Sequence, residues 1–222
     1  NTVVNGNSGG SRLEAEGTLG SYHFLNNYNV NTTDDASNAV KGGALHLNAQ
    51  IVNMGFMNMS SNMLTNSLFE NNTGDYGGGL YLEPADTSML RNVRFVSNNA
   101  LIHGGGLKIS DANMALSPMF QISDSLFERN HAGAYGGGIH IGGNAYMINI
   151  INTSFIGNTA GQSGGAVYVN LYDSNGKVRF TSNSGEEIVF RGNMEGVNDE
   201  FRTPESNAIH IANGNVELKT MS

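Results

Sequence analysis

A four-residue phrase, Phe-x-x-Asn, recurs seven times along the chain: Phe24 to Asn27, Phe69 to Asn72, Phe95 to Asn98, Phe127 to Asn130, Phe155 to Asn158, Phe180 to Asn183 and Phe190 to Asn193. Glycine-led strands alternate with it. They read Gly42-Gly43-Ala44-Leu45-His46-Leu47, Gly78-Gly79-Leu80-Tyr81-Leu82, Gly105-Gly106-Leu107-Lys108-Ile109, Gly137-Gly138-Ile139-His140-Ile141 and Gly164-Gly165-Ala166-Val167-Tyr168-Val169, with a glycine-free copy at Asn207-Ala208-Ile209-His210-Ile211. In the four central copies the first aliphatic follows the Phe by 11, 12, 12 and 12 residues, so this arc is fixed and insertions fall on the other one. Self-similarity at such a period is the signature of stacked structural repeats, each too small to bury its apolar face alone.

Each aliphatic pair encloses one polar or aromatic residue, the period-2 pattern of a short strand with one buried face. A second strand precedes each Phe, with an aliphatic five residues before it (Leu64, Leu90, Ile122, Ile150) and Asn or Asp three before it (Asn66, Asn92, Asp124, Asn152). Coils of two or three such strands, with Gly and Asn at the corners, satisfy their backbone groups by stacking as an all-β, right-handed parallel β-helix of about seven coils. The Phe rings then form one internal column and the aliphatics two more. The closing Asn residues bond coil to coil as an amide ladder, and the glycines serve corners that need positive φ or close approach of the next coil. Residues 1–222 read as a single β-helix segment of a longer protein, with 48–62 an insertion loop and 184–222 irregular final coils. Asn175-Gly176 reads as a tight turn.

Composition narrows the function classes. Thirty Gly against three Pro, with 39% apolar residues, fit a turn-rich β chain with a continuous core. A net charge of −8 and only 11 Lys plus Arg, nowhere clustered, exclude nucleic acid and anionic membrane surfaces as expected partners. Without Cys there is no disulfide framework and no thiolate metal site. No apolar run approaches the length that spans a bilayer, and the absence of an initiator Met suits an excised segment.

Motifs for catalysis dissolve into the repeat. Gly161-Gln162-Ser163-Gly164-Gly165 matches a hydrolase nucleophile elbow, yet lies in register with Asp75-Tyr76-Gly77-Gly78-Gly79 and Ala134-Tyr135-Gly136-Gly137-Gly138, so Ser163 is a repeat variant. Asp173-Ser174-Asn175-Gly176 lacks the remaining ligands of a calcium loop. Polysaccharide lyases and glycosidases on solenoids need paired acids or an acid cluster. Here Glu70 and Glu128 share a column with Val96 between them, while Asp34-Asp35 and Glu186-Glu187 are sequence neighbours that would point apart in strands. The expectation is a non-enzyme without cofactor or metal.

The residues enclosed by the aliphatic pairs, His46, Tyr81, Lys108, His140, Tyr168 and His210, point outward and would stack as an exposed His and aromatic ladder. Ring faces in such a stripe suit a glycan or a protein surface. A β-compatible column on a solvated sheet is the plainer reading.

Repeated together, the G-G-A-[ILV] and F-x-x-N tetrapeptides resemble the passenger domains of the polymorphic membrane proteins best known from chlamydiae, which are autotransporter adhesins. The likeness runs from Phe24 to Ile211 and includes the end from Gly185 to Asn193. Copies reading Gly-Gly-Gly-Leu or Gly-Gly-Gly-Ile, and an Asn- and Met-rich texture, depart from the family pattern. The resemblance implies a virulence-associated passenger, anchored at the outer membrane or secreted, that binds a host-cell protein or glycan. It assigns adhesion to the motif residues Gly42, Gly43, Ala44, Leu45, Phe69, Asn72, Gly78, Gly79, Leu80, Phe95, Asn98, Gly105, Gly106, Leu107, Phe127, Asn130, Gly137, Gly138, Ile139, Phe155, Asn158, Gly164, Gly165, Ala166 and Val167. A structural stalk and, less favoured, a polysaccharide-degrading enzyme are the alternatives. Open solenoid ends would permit self-association.

Overall fold

The computed structural model describes residues 2–5, 11–12, 18–20, 22–29, 42–48, 63–83, 89–110, 119–143, 147–172, 176–197 and 205–220. Its strands fall into four sheets of seven, and the chain visits the sheets in a fixed cycle. Numbered in winding order, one coil runs through sheet 1 (Met63–Thr65), sheet 2 (Leu68–Glu70), sheet 3 (Thr73–Tyr76) and sheet 4 (Leu80–Glu83). The next coil repeats this with Met89–Arg91, Arg94–Val96, Asn99–His103 and Leu107–Ile109, each strand parallel to its predecessor. The winding is right-handed, the hand that twisted strands impose on parallel crossovers.

Three of the four corners are made by single left-handed residues. Between sheets 1 and 2 these are Asn66, Asn92, Asp124 and Asn152, with φ of 47–53°. Asn and Asp tolerate this region better than other side chains, which is why the sequence keeps them three residues before each Phe. Between sheets 2 and 3 the turn is made by Asn26, Asn71, Ser97 and Arg129 at 52–54° and by Gly157 and Gly192. Between sheets 3 and 4 it falls on Gly42, Gly77, Gly104, Gly136 and Gly164 at 64–73°. The next glycine is required for space: a Cβ on Gly105 would overlap the carbonyl oxygens of Gly137 and His131 in the following coil.

Inside, identical positions superpose. Phe24, Phe69, Phe95, Phe127, Phe155 and Phe190 form one column with centroids 4.7–5.1 Å apart and ring planes within 11° of parallel. Leu45, Leu80, Leu107, Ile139 and Val167 line sheet 4, and Leu64, Leu90, Ile122 and Ile150 line sheet 1, all buried. Beside the Phe column runs the amide ladder: each Nδ2 of Asn27, Asn72, Asn98, Asn130 and Asn158 donates to Oδ1 of the next member at 2.9–3.0 Å, ending on Asn193. From Asn72 onward the same Nδ2 also donates to a carbonyl of the preceding coil, Phe24 for Asn72 and Phe95 for Asn130. The ladder is therefore fully bonded away from water.

The expected count of about seven coils is corrected. The central winding, Met63 to Leu171, makes about three full turns in sheet 1, from Met63–Thr65 through Met89–Arg91 and Met119–Ser123 to Met147–Ile151, plus the arc to Val167–Leu171. On either side the four sheets gain further parallel strands, Thr18–Gly20, Tyr22–Leu25, Tyr28–Asn29 and Leu45–Asn48 before it and Lys177–Ser182, Phe190–Arg191, Met194–Glu195 and Ile209–Asn213 after it. At the C-terminal end Met194–Glu195 pairs antiparallel with Glu205–Ser206. Counting tetrads overcounts because Phe180 belongs to sheet 1, opposite Ile150, and meets Phe155 edge-on at 6.4 Å. Coils hold four strands, the short sheet 3 being the one the aliphatic pattern does not announce. The tight turn expected at Asn175-Gly176, between Val167–Leu171 in sheet 4 and Lys177–Ser182 in sheet 1, falls partly on residues 173–175, which lie outside the described residues. The same holds for 49–62, 111–118 and Asp34-Asp35.

Candidate functional site: the covered outer face of sheet 4

The enclosed residues of sheet 4 stack in register as the alternation requires: His46, Tyr81, Lys108, His140, Tyr168 and His210 are successive partners across parallel strands. From Tyr81 to His210 none is exposed. Tyr81, Lys108, His140 and Tyr168 keep 8% or less of their surface, and His210 is half-buried. The expected solvent-facing ladder is thus overturned by a second column that lies over it.

That column is Tyr76, His103 and Tyr135, the residues just before the glycine corner, bridged in parallel to one another and on to Ser163. Their rings stack at 5.5 and 5.1 Å. Two of them lean onto the ladder residue of the following coil: His103 onto His140 at 4.8 Å, Tyr135 onto Tyr168 at 4.5 Å. Ser163 stands where the next ring would be, and His210, which stacks on Tyr168 at 5.3 Å, is correspondingly less buried. Sequence reasoning missed this column, although an aromatic or His before the glycines in three consecutive coils was the signal that marks it.

Two imidazoles and one ammonium meet beneath the cover. Lys108 Nζ lies 2.8 Å from His140 Nδ1. A lysine ammonium only donates, so this nitrogen accepts and His140 is neutral, with its proton on Nε2. Burial first, then the charges of Lys108 and His103, hold the His140 pKa well below the ordinary 6.5. Burial and the Lys108 charge lower His103 to about 4, and its Nδ1 has no hydrogen-bond partner among the described residues. Burial, then Tyr135, raises the Tyr168 phenol. Gly142 leaves the room the pair needs: a Cβ there would come within 3.0 Å of His140 Cε1 and 3.2 Å of Lys108 Nζ.

The motif residues assigned to adhesion are interior. Gly42, Gly43, Ala44, Leu45, Phe69, Asn72, Gly78, Gly79, Leu80, Phe95, Asn98, Gly105, Gly106, Leu107, Phe127, Asn130, Gly137, Gly138, Ile139, Phe155, Asn158, Gly164, Gly165, Ala166 and Val167 are all buried, as core, ladder or corner. Buried in this way, they are not presented at the surface of the folded chain. The last glycine corner is held by Glu195, whose carboxylate accepts the Gly164 N–H at 2.8 Å. As the sequence indicates, Ser163 is the repeat partner of Tyr135, and Val96 separates Glu70 from Glu128. Among the described residues no three His, Cys, Asp or Glu side chains converge on a metal-sized site, and no helix is long and apolar enough to cross a membrane.

Residues 152–170, three quarters of one coil from the Asn152 corner through Phe155 and Asn158 to the end of Gly164-Gly165-Ala166-Val167, match the Chlamydia polymorphic membrane protein repeat. The chain is also similar to the probable outer membrane protein pmp20 of Chlamydia pneumoniae, at 31% identity over 137 residues. That stretch is 60% of this chain but 7% of the relative. No solved structure matches the chain.

Proposed function

We propose that this chain is a non-catalytic segment of a bacterial surface passenger that attaches its cell to a host cell. The observation that carries the reading is the repeat match at residues 152–170, in a chain whose parallel solenoid is the architecture of a display rod. A rod is a scaffold, so the binding surface must come from what the coils present.

Between Met63 and Leu171 the sheet 1 to 2 and sheet 2 to 3 corners are two residues each and the sheet 3 to 4 corner is three to six, while the fourth varies from three to nine. The segments joining sheet 4 to sheet 1 are residues 49–62, 84–88, 110–118, 144–146 and 172–176, so the length variation of the central coils is greatest at one corner. Loops of variable length on a rigid frame are where binding residues collect. The motif glycines, Phe and Asn act indirectly, by setting the coils that present those arcs. The partner class is a host-surface protein or glycan, and the site of action is the bacterial outer surface.

Beads coated with the purified segment should adhere saturably to host cells. Shortening 49–62 or 111–118 to a Gly-Ser linker should reduce adhesion while leaving the β circular dichroism unchanged. Beads that stay inert across several cell types would favour the stalk instead, a reading that the buried motifs and ladder also suit. Release of oligosaccharide from acidic or neutral polysaccharides, lost on removing one acid, would overturn the non-catalytic part.

A further inference from the structure

The cover over sheet 4 concentrates titratable groups that the adhesive reading does not use. Lys108 is a buried cation, its ammonium 2.8 Å from one neutral imidazole, and that imidazole stacks 4.8 Å from a second whose Nδ1 is unpartnered among the described residues. The other groups facing the pair are phenols, Tyr76 and Tyr135 in the cover and Tyr81 and Tyr168 along the sheet, with His210 beyond Tyr168. Two carboxylates flank the cluster: Glu83, two residues past Tyr81 on the same face, and Asp75, beside Tyr76, both buried. Closed, the arrangement has room for one cation and two neutral rings. A proton added to either ring puts a second positive charge beside Lys108 in a site poor in water, which is costly.

We propose that the Tyr76, His103 and Tyr135 column is an acid-released cover, which lifts from sheet 4 when His103 and His140 take up protons and so uncovers His140 and Tyr168 of the ladder. The geometry suits release of the cover and not collapse of the rod. The cover joins the rest through ring stacking and the bridges at its own corner, whereas the Phe column and amide ladder contain no titratable group. The direction follows from linkage. Both imidazoles are held below their ordinary 6.5, so the closed state is at full strength above that value. It weakens as pH falls from 6.5 toward the closed-state value, about 4 for His103. From His103 alone the open fraction should rise on the order of thirtyfold between pH 7.5 and pH 5.

Amide hydrogen exchange of the whole chain, corrected for the intrinsic rate, reads this region by region. Peptides covering 99–110 and 131–143 should lose protection by about that factor at pH 5 and regain it at neutral pH, while 119–128 and 147–156 hold theirs. His103→Phe with His140→Gln keeps a ring in the stack and an acceptor for Lys108, and should flatten the response. If that pair fails to fold, imidazole proton titration by NMR in the unmodified chain decides. A midpoint near 4 for His103, with His140 well below 6.5, supports the cover, and midpoints near 6.5 overturn it. Equal loss of protection in all four peptides, or an unaltered response in the double variant, would also overturn it.

Discussion

Rings stack on both faces of this solenoid at nearly the same spacing, 4.7–5.1 Å in the Phe column inside sheet 2 and 4.5–5.5 Å over sheet 4 outside. They differ in how much freedom the position allows. Inside, every neighbour of a Phe is another copy of the same coil, and the planes stay within 11° of parallel. Outside, two columns from two positions interleave one coil out of step, tilts reach 43°, and Tyr, His and Lys exchange places. A column closed on all sides admits one side chain. A column with one edge toward solvent needs only a flat or long one whose polar end finds water or a partner.

The most severe way to break the inner order is at a corner. Gly137→Ala sets a methyl against the carbonyl oxygens of Gly165 and Thr159, both backbone atoms of the next coil and fixed by parallel pairing. Loss of the cooperative unfolding transition is the expected outcome, read by thermal circular dichroism. A transition near that of the parent chain would mean the coils can spread apart, against close packing as the reason for this glycine.

Phe127→Ala comes next. The ring is fully buried between Phe95 and Phe155, at 4.7 and 5.1 Å, and its removal should cost about 3–5 kcal/mol in urea unfolding. The outer counterpart is Tyr168→Ser, which strips a ring covered by Tyr135 and flanked by His140 and His210. About 2 kcal/mol is expected there, since the cover can settle toward the gap. Equal costs for the two would erase the distinction between closed and open columns. Replacing Tyr81, His140 and Tyr168 together with Ser is therefore no neutral surface change, and weaker adhesion of that variant would report lost packing before it reported a lost contact.

How much of this was legible in the sequence follows the same line. The Phe column, the amide ladder and the glycine corners could be read because each repeats at one position with one chemistry. Phe180 misled because a Phe and an Asn at the right spacing do not say which sheet holds them; in the structure its neighbour is Ile150. The buried state of Lys108, His140 and Tyr168 was hidden, because alternation fixes the face a residue takes but not whether another element lies over that face. Tyr76, His103 and Tyr135 differ in type and fall at a corner, where a strand pattern gives no orientation.

The finest test concerns a position where the inner order is already interrupted. At the corner between sheets 1 and 2, the hydroxyls of Ser67, Ser125 and Thr153 each donate to the carbonyl two residues back, of Thr65, Ser123 and Ile151, at 2.8 Å. They also accept from the coil before, Tyr22 N–H on Ser67 and Val93 N–H on Ser125, both at 3.1 Å. Val93 occupies this column without a hydroxyl and is fully buried. Val93→Thr keeps the branched shape and supplies an oxygen that would reach the Arg91 carbonyl on one side and the Ser67 N–H on the other. The Arg91 carbonyl already accepts Asn66 N–H, but so does Ser123 accept Asn92 N–H beside the Ser125 hydroxyl, so a second donor fits. With both bonds made, the hydroxyl's burial is offset and a gain of about 1 kcal/mol is expected, a rise of roughly 2–4 °C in the thermal midpoint. A loss of similar size would mean that Val93 holds its place by packing, and that the hydroxyl column, unlike the amide ladder, is not continuous by design.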